Sequence, residues 1–162
     1  HLVSYNYIDL DHIWNIGGGT NDTFTWTRSN LYYFERGSDV YSGNSATWTG
    51  AIGLMYPSDY GYATVSTNST CDSTTMFDWN TEPAFAECAQ NSWLYDSEED
   101  QWTITTFSDD SEGAVYVRDY YGDIGVGYVN NWDAIRPALY LKSEVKIVGG
   151  KGTEQEPYEL GM

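Results

Sequence analysis

The sequence has 162 residues, the length of one domain able to bury about two-thirds of its unfolded surface. Its 24 Asp and Glu against 7 Lys and Arg give a formal net charge of −17, which excludes nucleic acid and anionic membranes as partners, since no basic patch reverses the field. Aromatic residues make up 17% of the chain, with 15 Tyr, 7 Trp and 16 Gly, a composition that favours strands joined by long loops over helices.

No apolar run approaches the roughly 18 residues of a membrane span, and no signal peptide is visible. The chain opens at His1 without an initiator Met, which reads as a mature or trimmed segment whose upstream anchor lies elsewhere.

In chain order, Ser4–Leu10 alternates as a half-exposed strand does. Gly17-Gly18-Gly19 and the residues to Asp22 read as a turn, with no Lys-Ser/Thr or helix following to make a phosphate loop. Thr23–Thr27 alternates as a strand, and Leu31–Gly37 is a second strand or a short helix. Trp48–Tyr56 reads as extended and buried. At Pro57–Ala63 the signal changes: Ser58 is a candidate N-cap, Asp59 suits the positive end of a helix, and a short helix is expected over about 59–64.

Residues 64–75 read as a loop leading to Cys71. Cys71 and Cys88 are the only cysteines. A zinc site needs two more ligands, and His1 and His12 lie far away in sequence, so a disulfide is favoured over a metal site or free thiols. Closing a loop of this length contributes about 3 kcal/mol and points outside the cytoplasm. Trp79 and Phe85 are expected to pack under that loop, and Asn91–Tyr95 to re-enter the core.

Gln101–Phe107 is the clearest strand. A hairpin turn at Ser108–Gly113 leads into Ala114–Arg118, a second turn at Asp119–Gly122 into Ile124–Val129, and Val145–Val148 is a further strand. Between them, Asn130-Asn131-Trp132-Asp133 is a polar, aromatic loop. Arg136-Pro137 marks the entry to a strand, Ala138–Leu141, whose apolar run suits a buried position. Arg136 at the edge of the core is expected to hold a carboxylate or carbonyls, a structural role.

Several chemistries lack a pattern. There is no Gly-x-Ser-x-Gly elbow, and neither histidine has a nucleophile motif beside it. With so many acids, a glycosidase pair has nothing in sequence to select it. For calcium, Asp109, Asp110 and Glu112 share one turn, and Asp119 and Asp123 the next, without EF-hand spacing; solvated acidic turns are the plainer reading. No other cofactor is implied. Tyr116, Tyr120, Tyr121, Tyr128 and Trp132 fall among Asp, Asn and Gly, a mixture that serves sugar and protein recognition as well as it fills a Tyr-rich core.

Trp48–Ala63, with its Trp-Thr-Gly-Ala-Ile-Gly-Leu-Met-Tyr-Pro-Ser-Asp-Tyr-Gly-Tyr-Ala run, resembles a signature of secreted bacterial surface proteins, some with pilin-type N-termini. In those proteins a cysteine pair follows. Segments like Asn91–Tyr95 with Gln101–Ile104, like Ile135–Ser143, and like Gly150–Thr153 with Pro157-Tyr158 come next. All four blocks occur here in order, over about residues 33–160. The order Leu54, Pro57-Ser58, Tyr62-Ala63, then a Trp-Thr strand, then an Arg-containing strand resembles the C-type-lectin-like fold. The branch in question holds formylglycine-generating enzymes and diversified ligand-binding proteins, and has Gly-Phe-Arg where this chain has Ala134-Ile135-Arg136. The enzymes' catalytic cysteines lie near their ends and Cys71 and Cys88 lie mid-chain, so the resemblance carries no activity over.

The resemblance implies an α+β, strand-rich, C-type-lectin-like domain over 1–162, with long loops and one or two short helices. A pilin helix or other anchor would precede it. In the binding members, contacts come from the region that maps to Asp109–Asp133. The expectation is therefore a non-enzymatic extracellular adhesin on a bacterial surface or filament, meeting a protein or glycan through Tyr116, Tyr120, Tyr121, Asp123, Asn130, Asn131 and Trp132. The alternatives are the globular part of a pilin-like filament subunit, which would self-associate, and a secreted glycan hydrolase.

Overall fold

The computed structural model describes residues 5–18, 25–64, 69–153 and 155–162. It is mixed and strand-rich, with 27% strand and 21% helix. Its centre is a four-stranded sheet in the order β6-β5-β4-β7, formed by β4 (Gln101–Thr106), β5 (Gly113–Val117), β6 (Ile124–Tyr128) and β7 (Ala134–Ile135). The β4–β5 and β5–β6 pairs are antiparallel hairpins, and β7 returns parallel to β4 with Gln101 opposite Ala134. Alternation produced these strands: on β4, Gln101, Thr103 and Thr105 face the core, and Thr103 Oγ1 donates to Val115 O at 2.7 Å. Between Trp102 and Thr106 the β4–β5 register shifts, and there Ile104 N donates to Met55 O at 3.0 Å.

Three two-stranded pairs flank the sheet: β1 (Ile13–Asn15) with β2 (Thr47–Thr49), β3 (Gly53–Leu54) with β8 (Pro137–Ala138), and β9 (Lys146–Gly149) with β10 (Glu159–Gly161). Three short α-helices, α1 (Arg28–Phe34), α2 (Pro57–Tyr62) and α3 (Ser69–Ser73), and a π-helical turn at Phe85–Ala89 cover the other side. The core lies between them and the sheet, where Leu31, Tyr60, Met76, Trp79 and the bridged Cys71–Cys88 pair meet Val115, Val117 and Ile124. Phe85 packs against this cluster as the sequence suggests.

Several sequence expectations need correction. Thr27 does not continue a strand; its hydroxyl accepts from Asn30 N and caps α1. Thr23 and Phe24, like Gly19–Asp22, lie outside the described residues. Tyr5–Tyr7 is a 3-10 turn, with Ile8 bridged to Leu141; Ser4 is outside the described residues. The helix at 59–64 begins two residues earlier, at Pro57, whose missing N–H costs nothing in a first turn. Ser58 is therefore not its cap: it is buried inside α2 and its hydroxyl donates to Glu35. Within 64–75, Ser69–Ser73 forms α3. In Trp48–Tyr56 only the end is interior: Met55 and Tyr56 are buried, while Trp48 and Ile52 are exposed. Trp93 is likewise exposed between buried Ser92 and Leu94.

Leu139, Tyr140 and Leu141 are not a buried strand: β8 ends at Ala138, and the three side chains beyond it stay exposed although the segment meets the N-terminal residues through the Ile8–Leu141 bridge and the bond from Asp9 N to Tyr140 O. Arg136 holds carbonyls rather than a carboxylate: Nε donates to Gln101 Oε1 at 2.9 Å and Nη2 to Leu94 O at 3.4 Å.

The remaining arginines are paired inside the fold. Arg28, 5% exposed, donates from Nε and Nη2 to Asp72 Oδ1 and from Nη1 to Gly61 O and Thr64 Oγ1. Arg36 bonds Glu35 and Ser58 and lies 4.1 Å from the ring centres of both Tyr32 and Tyr56. Glu35 is fully buried, and burial pushes its carboxyl up to about 7 against the opposing pull of Ser58 and Arg36.

Candidate functional site

The turn from Asp119 to Asp123 joins β5 to β6 and is clamped from within. Arg118 N donates to Asp123 O at 2.9 Å, Gly122 N to Arg118 O at 3.1 Å, and the buried Tyr60 hydroxyl to Gly122 O at 2.7 Å. Gly122 has φ +64°, and a Cβ there would lie 2.6 Å from the Cβ of Ala89, so both its conformation and its space demand glycine. With the backbone pulled inward, the Tyr120 and Tyr121 side chains point outward. They are 73% and 51% exposed and meet edge to face at 5.2 Å.

The second component is the crossing after β6. The chain leaves β6 at Tyr128, beside the β4–β5 turn, where Val129 N donates to Glu112 O at 2.9 Å. It must reach the opposite end of the sheet, because Ala134 pairs with Gln101. Asn130 and Asn131 are exposed on this crossing, and Trp132 is 100% exposed.

Asp100 brings the two components together. Its Oδ1 accepts from Asp119 N at 2.7 Å, and its carbonyl accepts from Ala134 N at 2.8 Å. The Tyr120–Tyr121 turn and the Trp132–Asp133 loop thus meet at one end of β4. Asp133 is held above the usual carboxylate range by partial burial and by the charges of Asp100, Asp119 and Glu99. Tyr95 adds a hydrogen bond from its hydroxyl to Tyr120 O at 3.4 Å. The arrangement is an aromatic rim on an acidic base.

No protein-family model matches the chain, and no curated protein or solved structure is significantly similar to it.

Tyr116 and Asp123 stand apart from this face. The Tyr116 ring lies against Trp102 at 5.5 Å and over the space left by Gly125 and Gly127, so it is held in the sheet. Asp123 is 1% exposed; its Oδ2 accepts from Asn80 Nδ2 at 3.0 Å and Arg118 Nη1 at 3.3 Å. Burial pushes it up to about 6, with Arg118 opposing. It is an interior anchor for the turn and does not reach the contact face.

Asp100 joins the face from outside the Asp109–Asp133 region, while Asp119 and Asp133 lie within that region but not among the expected contact residues. The signal available in sequence was that Asp119 borders the Tyr120-Tyr121 pair and Asp133 borders Trp132. In the β4–β5 turn, Asp110 Oδ1 accepts from Glu112 N at 2.9 Å, an ordinary Asx turn. Among the described residues, Asp109, Asp110 and Glu112 included, no group of three or more carboxylate, imidazole or thiol side chains is placed to hold a metal ion. His12 stacks on Tyr140 at 3.8 Å and its Nδ1 is 3.2 Å from Asp9 Oδ2.

A separate apolar groove of about 460 Å³ runs between the sheet and the β1–β2 and β3–β8 pairs. Trp48, Ile52, Val129 and Ile135 line it and are exposed.

Proposed function

We propose that this chain is a non-enzymatic extracellular recognition domain with a C-type-lectin-like fold, displayed as an adhesin on a bacterial surface or filament. It meets a protein or glycan ligand through Tyr120, Tyr121, Asn130, Asn131 and Trp132. The observation that carries the reading is the full exposure of Trp132, on a loop tied through Asp100 to the turn that presents the paired Tyr120 and Tyr121 rings. An indole left wholly in water has no folding role, and rigid aromatics offer contact area at small entropic cost. The Cys71–Cys88 disulfide fits an oxidising compartment, and among the described residues no helix is long and apolar enough to cross a membrane.

The test is binding of the wild-type domain and the Tyr121→Ala/Trp132→Ala variant to arrayed glycans and extracellular-matrix proteins. The reading expects a reproducible ligand whose binding drops at least about tenfold in the variant, an effect typical of central aromatic contacts. Ligands bound equally by both proteins would remove the aromatic face from the account.

The apolar groove favours a second reading, a pilin-like filament subunit whose neighbours cover Trp48, Ile52, Val129 and Ile135. It expects concentration-dependent assembly of the full-length protein, abolished by Ile52→Asp.

A further inference from the structure

Arg28, Arg36 and Arg118 each have a carboxylate partner, on Asp72, on Glu35 and Asp59, and on Asp123. Arg136 has none among the described residues. In a chain with 24 acids and 7 bases, leaving a half-buried guanidinium without a carboxylate is the exception that needs a reason. Nε and Nη2 are turned to Gln101 and Leu94, while Nη1 has no protein partner among the described residues.

Arg136 lines an open cleft of about 520 Å³, a volume within the usual range for small-molecule sites. Met55 and Leu94, both buried, form apolar wall, and Trp93 and Tyr62 are exposed at 73% and 50% along its border. Asp59 lines it as well, with Oδ2 accepting from Tyr56 N at 2.9 Å and Oδ1 3.7 Å from Arg36 Nη2.

We propose that this cleft binds a small monocarboxylate carrying an apolar or aromatic ring. The carboxylate meets Arg136 and the ring packs against Trp93 and Tyr62. A guanidinium is the side chain best matched to a planar carboxylate. One such group beside Asp59, on a molecule of net charge −17, suits a single negative charge and disfavours a dianion such as phosphate. The site is distinct from the Tyr120–Trp132 face and stands or falls independently of it.

The experiment is an NMR titration of the ¹⁵N-labelled protein with N-acetyl-L-phenylalanine and, separately, with its primary amide, at about 50 mM salt to limit screening. Saturable shifts of the Trp93 indole N–H and of the Leu94 and Ala138 backbone amides, which remain observable in the variants, are expected with the acid, with a dissociation constant around 1 mM and roughly tenfold weaker binding of the amide. Arg136→Gln should abolish the preference for the acid. Because it also alters the bonds to Gln101 and Leu94, Trp93→Ala, at an exposed side chain, is the second variant; it should weaken the acid severalfold with the melting temperature unchanged. A peptide ending in a free phenylalanine carboxylate that binds tighter than the acetyl amino acid would assign the site to chain termini, and one that binds more weakly to free acids. Equal binding of acid and amide, no binding up to about 20 mM, or undiminished acid binding in both variants would overturn the proposal.

Discussion

The helical side of the molecule and the far end of its sheet are built from the same residue types, yet they treat them differently. Around α1 and α2, Arg36 lies between Tyr32 and Tyr56 and is bound to Glu35, and Arg28 is answered by Asp72, Gly61 and Thr64. At the end of β4, Tyr120, Tyr121 and Trp132 face water above Asp100, Asp119 and Asp133, with no cation of the chain bonded to these three acids among the described residues. Aromatic or acidic character therefore does not separate scaffold from candidate site in this chain. What separates them is whether the partner is supplied within the fold.

Substitutions on the two sides should differ most in stability. Trp79→Ala removes a fully buried ring from the centre of the helical side and should cost about 3–5 kcal/mol, read as a large drop in the denaturation midpoint. Replacing both Cys71 and Cys88 by Ser should cost about 3 kcal/mol, measured the same way with and without reductant. An unchanged midpoint in either case would mean that the helical side is not the stabilising half.

The pH dependence should come from two buried acids, Glu35 on the helical side and Asp123 beneath the β5–β6 turn. Glu35 is raised from 4.5 to about 7 and Asp123 from 3.8 to about 6, both chiefly by burial. A raised folded value means that the folded state binds the proton more tightly than the unfolded one. Stability is thus highest where both groups are protonated and falls as pH rises through the folded values, by an amount on the order of 1–3 kcal/mol between about pH 5 and pH 8. Thermal melts across that range should show the decline, and Glu35→Gln should flatten it. A rise in melting temperature with pH would contradict the assignment. The smallest effect belongs to the exposed end: Tyr121→Ala and Trp132→Ala should each change stability by no more than about 0.5 kcal/mol, by chemical denaturation.

Legibility in the sequence followed the same division. Gln101–Phe107 and Ile124–Val129 were readable because period-two alternation is local, and each strand lies within one residue of its expected bounds. The α2 helix was legible from Asp59 at its positive end, but Ser58, expected to cap it, has another role, which depends on Glu35 arriving from the end of α1. Gly61 argues against a helix by propensity. It is required because a Cβ there would lie 2.8 Å from Arg28 Cβ and 2.9 Å from Met76 Sδ, contacts no local window contains. Tyr120, Tyr121 and Trp132 are exposed, as residues of a contact face must be, whereas the burial of Asp123 was not legible, since an aspartate beside Gly122 reads equally well as an exposed turn residue. Arg136 was read as scaffold from its place beside Pro137; the cleft it lines is assembled from α2, the Trp93 turn and β8.

The two most exposed indoles, Trp93 and Trp132, have different neighbours, one sharing a cleft with Arg136 and Asp59 and the other a loop with Asp133. Each is consequently an optical gauge of its own site. Quenching compared between the wild type and variants lacking one or the other indole reads occupancy at each place above the emission of the other tryptophans, without any label being attached.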